Sequence, residues 1–117
     1  MGRVYINENK ILLNEIIEIY IPEKYDWLSY QITKNNILTI HHVIKKADGG
    51  ILCIENAALL TKKAHRALHM CESRDLILYI EINEFFKEII SYRLPLTEEQ
   101  QKISREYKKA LTKTLYK

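Results

Sequence analysis

The sequence is poor in glycine, proline and cysteine. Its 117 residues include three Gly and two Pro, which favours long helices over an all-β fold with many turns. Cys53 and Cys71 form no CxxC pair and are too few for a disulfide framework, as is typical of a reducing compartment. No apolar run reaches the roughly 18 residues that a membrane-spanning helix needs, and no signal-peptide pattern is present. We therefore expect a cytoplasmic protein without a membrane partner.

The composition predicts one globular domain. Apolar residues make up 47% of the chain, and the net charge is +3, a weakly basic balance that is compatible with a polyanionic partner. The expected class is α+β and helix-rich, with a two-stranded hairpin and a helix packed among flanking helices. The single domain, 1–117, divides into N-terminal helical support (1–36), a ββα core (37–72) and C-terminal helices (73–117).

Hydrophobic periodicity and capping residues predict the individual elements. Apolar residues at helical spacing indicate a first helix over 10–21, ended by Pro22, and a second short helix is predicted over 23–32. Strands are predicted over 37–44 and 57–60, joined through a loop whose Asp48-Gly49-Gly50 supplies positive φ angles. Further helices are expected from the N-cap Thr61 to about Cys71, from Ser73 or Asp75 to about Tyr92, and from a capping box at Thr97 and Gln100.

All four histidines lie between positions 41 and 69. His65 and His69 are four residues apart on a predicted helix, so their rings share one face and can share a metal ion. Strand alternation sends His41 and His42 to opposite sides, so that one ring can become a third ligand. A His-x-x-x-His pair alone is most often a solvated helix face. Three imidazoles, however, leave coordination positions open for water or a phosphate oxygen, as in catalytic metal sites.

The stretch IHHVIKKADGGILCIENAALLTKKAHRALH, residues 40–69, resembles the HNH endonuclease motif, or ββα-metal finger. Its ending is similar to that of the colicin-type DNases, in which three histidines hold one metal. The resemblance implies that His41, His65 and His69 are the metal ligands and that His42 is the general base. It also implies that Asn56 braces the two-strand loop and orients the base ring. The chain departs from many HNH proteins because it lacks the two CxxC pairs of a zinc ribbon.

The resemblance also implies a cofactor and a substrate. The expected cofactor is one divalent ion; imidazole ligands favour Zn, Ni, Cu or Mn over Mg, whereas HNH enzymes often use Mg. The expected partner is nucleic acid, with DNA favoured over RNA. Basic side chains beside the motif are predicted to contact phosphate, and Arg66 ranks first among them because guanidinium binds phosphate in a bidentate way. These side chains belong to Lys45, Lys46, Lys62 and Arg66.

The leading hypothesis is an active DNA endonuclease of bacterial, phage or mobile-element origin. Two alternatives are a non-catalytic binding protein or inhibitor built on the same finger, and a nuclease that cuts RNA. Without a zinc ribbon, support is expected from Trp27, Tyr30 and the apolar stripe over 78–89. The apolar segment 51–54 is expected to be buried under a flanking helix, or otherwise to form an interface, which leaves open a homodimer or a protein partner.

Overall fold

The structure, a computed structural model, describes residues 8–116 and consists there of an antiparallel two-stranded hairpin among four α-helices, with two short 3-10 helices, Lys46–Asp48 and Ile54–Asn56, between the strands. The predicted α+β class is confirmed, and so is the predicted order of the elements, apart from the short helix over 23–32. The bounds are α1 (Glu8–Tyr20), β1 (Leu38–His42), β2 (Ala57–Thr61), α2 (Lys62–Arg74), α3 (Leu76–Tyr92) and α4 (Glu98–Leu115). None of these helices is both long and apolar enough to cross a membrane.

The hairpin lies at the centre of the fold. Every residue of β2 is buried, because α1, α2 and α3 all pack against this strand. The register pairs Thr39 with Leu60 and His41 with Ala58. Since alternate residues of a strand face the same side, Thr39 and His41 lie on one face of the hairpin.

The predicted helix starts are found where the capping residues place them. Thr61 accepts a hydrogen bond from the Ala64 N–H, and Asp75 accepts one from the Leu78 N–H. Thr97 and Gln100 form the reciprocal pair of hydrogen bonds of a capping box. These three helices therefore begin at capping residues that can be identified from the sequence alone.

The core contains the aromatic residues that were expected to support the finger. Trp27 is buried, with its ring centre 4.8 Å from that of Tyr20 and 5.8 Å from that of Phe86. The α3 stripe is buried at Leu78, Ile82, Phe85, Phe86 and Ile89, and Tyr30 is half-buried against the hydrophobic core. Packing against these side chains thus holds the hairpin in place.

The prediction of a short helix over 23–32 is wrong. The Asp26 carboxylate accepts hydrogen bonds from the N–H groups of Leu28 and Tyr30, so the backbone bonds to a side chain instead of forming a helical turn. The Trp27 N–H donates to the carbonyl of Leu59 in β2, and Ser29 has a left-handed φ of 63°. Residues 21–37 are therefore an ordered connection that contributes its own hydrogen bonds to the hairpin.

The N-terminus of α2 is hydrogen-bonded at each of its first N–H groups. A helix leaves its first four N–H groups without helical partners, and they need others. Here Asp26 accepts from Thr61 at 2.7 Å, and the Asn36 side chain accepts from Lys63 at 2.9 Å. The remaining two donors are Lys62, which bonds to the carbonyl of Ile37, and Ala64, which bonds to Thr61. Four separate acceptors thus fix the start of this helix.

The glycine turn differs in part from the prediction. Gly49 has the predicted positive φ, 89°, but Gly50 does not. Glycine is needed at position 50 for close approach, since a Cβ there would lie 1.8 Å from the carbonyl oxygen of Ile44. The expectation of burial over 51–54 is wrong for Ile51, which is 69% exposed, whereas Leu52 and Ile54 pack partly against the core.

Replacing Asp26 by alanine should lower the free energy of unfolding by about 2–4 kcal/mol, because it strands the N–H groups of Leu28, Tyr30 and Thr61. Urea denaturation followed by circular dichroism measures the change. Asp48→Ala removes an exposed carboxylate and is the matched control, with an expected change within about 0.5 kcal/mol. Equal losses in the two variants would contradict the anchoring role of Asp26.

Candidate metal centre

His41 is a buried histidine at the end of β1. Its side chain is 7% exposed and its Nε2 lies 2.8 Å from Oδ1 of Asn83 in α3. The ring also meets that of Phe86 edge to face. Burial lowers the pKa of His41 from 6.5 to about 4, although the hydrogen bond to Asn83 acts in the opposite direction. His41 is therefore neutral at physiological pH, the form in which imidazole binds metals.

His65 lies in the second turn of α2 and faces the hairpin. Its Nδ1 is 3.1 Å from the hydroxyl of Thr39 on β1. Partial burial lowers the pKa of His65, and the neighbouring charges of His69 and His42 lower it further. This ring is thus biased toward the neutral form as well.

The rings of His41 and His65 contact each other. Their centres are 5.5 Å apart, with an interplanar angle of 84°. Two imidazoles on one tetrahedral zinc, each bound at about 2.0 Å, have ring centres roughly 5 Å apart. The separation in the structure is therefore close to that of two ligands of one ion.

The other two histidines complete a cluster around this pair. His42 is half-buried, and its charge lowers the pKa values of both His41 and His65. His69 is exposed one turn after His65 on α2. Across residues 8–116, however, no three His, Cys, Asp or Glu side chains are arranged as a metal site. The structure brings His41 and His65 into contact and leaves His69 at the edge of the cluster.

The donor chemistry of the pair fits a divalent transition metal. Each ring has one nitrogen in a hydrogen bond, Nε2 of His41 and Nδ1 of His65, which leaves His41 Nδ1 and His65 Nε2 without a partner among residues 8–116. Neutral imidazoles with a partner on the second nitrogen are the usual form of histidine ligands. Two such nitrogens are available without breaking a hydrogen bond.

Asn56 has the hydrogen bonds that were expected of a brace. It is 6% exposed, and its Oδ1 accepts from the Ile44 N–H at 2.7 Å. Its Nδ2 donates to the carbonyls of Ile44 at 2.9 Å and Ile51 at 3.1 Å. The Asn56 side chain therefore bonds to the backbone at two points of the loop between the strands, one of them two residues after His42. Its contribution to catalysis stays a prediction.

The four predicted phosphate-binding residues are all exposed and differ in their partners. Lys45 forms an ion pair with Glu72 of α2 and lies 5.8 Å from the ring centre of Tyr79. For Lys46, Lys62 and Arg66 no ion pair is found within the described part of the chain. A phosphate would therefore compete with Glu72 for Lys45 and meet no carboxylate partner at the other three.

Sequence reasoning missed three side chains at this site, Thr39, Asn83 and Glu72. Two of them had a detectable signal. Thr39 is two residues before His41 and so shares its face of the strand, and Asn83 is a polar residue within the apolar stripe of α3. Glu72 had no such signal, because its pairing with Lys45 joins distant segments.

A second feature lies elsewhere on the molecule. A cleft of about 480 Å³ lies between the end of α1, residues 22–29 and the start of α4. None of the four histidines lines it. The cleft and the histidine cluster are thus separate features.

Changing Asn56 to aspartate should destabilise the loop by about 2–4 kcal/mol, since an oxygen would replace the Nδ2 donor that faces two carbonyls. Thermal and urea denaturation measure the loss. Asn35→Asp makes the same chemical change at an exposed position and should alter stability by no more than about 0.5 kcal/mol. A similar effect at both positions would rule out the brace.

Acidification should weaken the metal-free protein. Below about pH 6.5 the unfolded chain protonates His41, whereas the folded protein, with a His41 pKa of about 4, does not. The free energy of unfolding therefore decreases as the pH falls below 6.5, by about 2 kcal/mol at pH 5. Urea denaturation in EDTA at pH 7 and pH 5 should show this loss, with a contribution of the same sign from His65.

His41→Leu tests the origin of that pH dependence. The variant is expected to be less stable at both pH values, because the Oδ1 of Asn83 loses its partner. The difference between pH 7 and pH 5 should nevertheless shrink by most of the His41 contribution. An unchanged difference would show that another group causes it.

In comparisons with protein-family models, curated proteins and solved structures, nothing matched this chain. The resemblance of residues 40–69 to the HNH motif therefore rests on the residues themselves.

Proposed function

We propose that this protein is a metal-dependent endonuclease of the HNH type that hydrolyses DNA phosphodiester bonds. The observation that carries the proposal is the edge-to-face contact of His41 and His65, 5.5 Å between ring centres, with one uncommitted nitrogen on each ring. A core histidine needs only to be hydrogen-bonded. Two neutral histidines in contact, beside a third that is half-buried, are instead suited to share an ion.

The arrangement of β1, β2 and α2 supports a ββα-metal finger. The three elements follow one another in the chain, and α2 packs against both strands. Asn56 ties the loop between the strands to the residues that follow His42. These features match the order that the motif implies: a histidine pair, a braced loop and a helix with two histidines.

In this proposal His41, His65 and His69 hold the ion. The first two offer His41 Nδ1 and His65 Nε2, and His69 joins them by a side-chain rotation that its exposed position permits. Mg, Mn, Zn and Ni are the ions to test, and imidazole donors favour the last three. When bound, the ion neutralises charge on the scissile phosphate and stabilises the leaving oxygen.

His42 is assigned as the general base. It is half-buried and lies close enough to His41 and His65 for its charge to lower their pKa values. A histidine that is not a ligand can accept a proton from water at neutral pH. His42 would then take the proton from the attacking water next to the phosphate.

Side chains would bind the flanking phosphates. Helix N-termini often bind phosphate through free N–H groups, but the first N–H groups of α2 are already bonded. The exposed cations of Lys46, Lys62 and Arg66 are the available alternative. Arg66 lies on α2 together with His65 and His69. Lys45 would join them on release from Glu72.

Plasmid cleavage tests the catalytic assignment. Supercoiled DNA is incubated with the protein and Mg, Mn, Zn or Ni, beside His42→Ala. Loss of the base should reduce the cleavage rate by about 10²- to 10⁴-fold while metal affinity, measured by calorimetry, is retained. Absence of cleavage of both DNA and RNA with every metal would overturn the enzyme and favour a non-catalytic binding protein on the same finger.

The ligand and phosphate roles have their own variants. His65→Ala and His69→Ala should each weaken metal binding, and unchanged affinity in both would refute the ligand set.

Arg66→Ala should weaken DNA binding. The slope of log affinity against log salt concentration should also fall by about one, as expected for the loss of one phosphate contact. Arg105→Ala, at an exposed arginine of α4 beside the separate cleft, is the matched control and should leave DNA binding unchanged.

A further inference from the structure

The tautomer of His65 is set by Thr39. A threonine hydroxyl carries a single hydrogen, and the hydroxyl of Thr39 lies 2.7 Å from the carbonyl oxygen of Leu60, to which it donates. The same oxygen is 3.1 Å from Nδ1 of His65 and can only accept there. His65 therefore carries its proton on Nδ1, and its lone pair is on Nε2.

The tautomer of His41 is set in the opposite sense by Asn83. The Nδ2 of Asn83 donates to the carbonyl of Tyr79 at 3.0 Å, which leaves Oδ1 facing Nε2 of His41 at 2.8 Å. A flipped amide would place two acceptors, Oδ1 and the Tyr79 carbonyl, against each other. His41 therefore carries its proton on Nε2, and its lone pair is on Nδ1.

We propose that Thr39 and Asn83 are positioning residues that fix opposite tautomers in the two contacting histidines, so that His41 presents Nδ1 and His65 presents Nε2 to a metal ion. The proposal rests on the proposed function for the identity of the ligand, whereas the two tautomers rest on the hydrogen bonds alone. Both hydrogen bonds are shielded from water, the His41–Asn83 bond fully and the Thr39–His65 bond in part. The rings are thus pre-organised before any ion arrives.

The placement of Thr39 couples this role to the hairpin. Thr39 pairs with Leu60 in the register of the sheet, and its hydroxyl bonds to the carbonyl of that same residue. A slip of one residue would turn Thr39 and His41 to the other face. One hydroxyl therefore ties the orientation of a ring on α2 to the correct pairing of β1 with β2.

The test compares Thr39→Val, which is nearly isosteric and lacks the hydroxyl, with Thr39→Ser, which keeps it. In metal-free wild type at about pH 8, where histidine is neutral, ¹⁵N NMR of the imidazoles should show His65 protonated on Nδ1 and His41 on Nε2. Thr39→Val should convert His65 to a mixture of tautomers, and Thr39→Ser should restore the single form. Cobalt affinity, followed by absorbance, should fall about 10- to 100-fold in the valine variant only.

Thr112→Val is the matched control, because it removes an exposed threonine hydroxyl whose hydrogen bond lies within α4. It should leave both readouts unchanged. For the second pair, Asn83→Leu should release His41 from its Nε2–H form, whereas Asn83→Asp, which keeps an acceptor, should retain it. Circular dichroism of each variant establishes that the fold is intact.

The outcomes separate this inference from the nuclease proposal. If His65 keeps one tautomer in Thr39→Val, or if wild-type His65 is protonated on Nε2, the positioning role is overturned. If the tautomers respond as expected but wild type binds none of the metals and cleaves no nucleic acid, the two assignments stand and the nuclease proposal fails. A tautomer shift accompanied by weaker cobalt binding supports the positioning role and the assignment of His65 as a metal ligand, whereas the nuclease proposal depends on the cleavage assay.

Discussion

The fold depends on the way the first turn of α2 is held. Four N–H donors at this point bond to acceptors from the 21–37 connection and from the capping residue itself. The central acceptor is Asp26, a buried carboxylate whose pKa is raised because burial outweighs its hydrogen bonds. Since Asp26 also folds the connection on itself, one side chain fixes both the loop and the helix. His65 lies less than one turn after the start of α2, so the same hydrogen bonds position its ring.

That constraint extends to the histidine cluster through the hairpin. β2 runs directly into α2, so fixing the helix start also fixes the strand. The register of β1 against β2 places Thr39 and His41 on one face, where α3 supplies Asn83 from an otherwise apolar stripe. Three secondary-structure elements thus contribute the hydrogen bonds of two rings, and none of them could move alone without breaking one.

The sequence predicted what is encoded locally. Thr61, Asp75 and the Thr97–Gln100 box are signals within four residues of the N–H groups they cap, and the structure has all three. The 23–32 connection was mispredicted because its backbone bonds to the Asp26 side chain and to β2, which is distant in the chain. The exposed Ile51 was mispredicted for a similar reason, since an apolar run does not say which of its members face the core.

The site was predictable to the same extent. The spacing of the four histidines placed them in one region, and the resemblance to the HNH motif predicted the loop-bracing role for which Asn56 has hydrogen bonds to Ile44 and Ile51. What spacing does not encode is which nitrogen of each ring is left uncommitted. That depends on Thr39 and Asn83, whose own second hydrogen bonds, to Leu60 and Tyr79, fix the direction of the first.

The energetics of the cluster support a role beyond packing. Burying His41 costs stability under mild acid, and an apolar side chain at the same position would avoid that cost. A buried side chain, Asn83, and a half-buried one, Thr39, bond to one nitrogen of each ring, and the other nitrogen has no partner among residues 8–116. Retained groups whose burial lowers stability in mild acid are typical of functional sites. A pair of neutral, pre-oriented imidazoles is the arrangement that the proposed metal site requires.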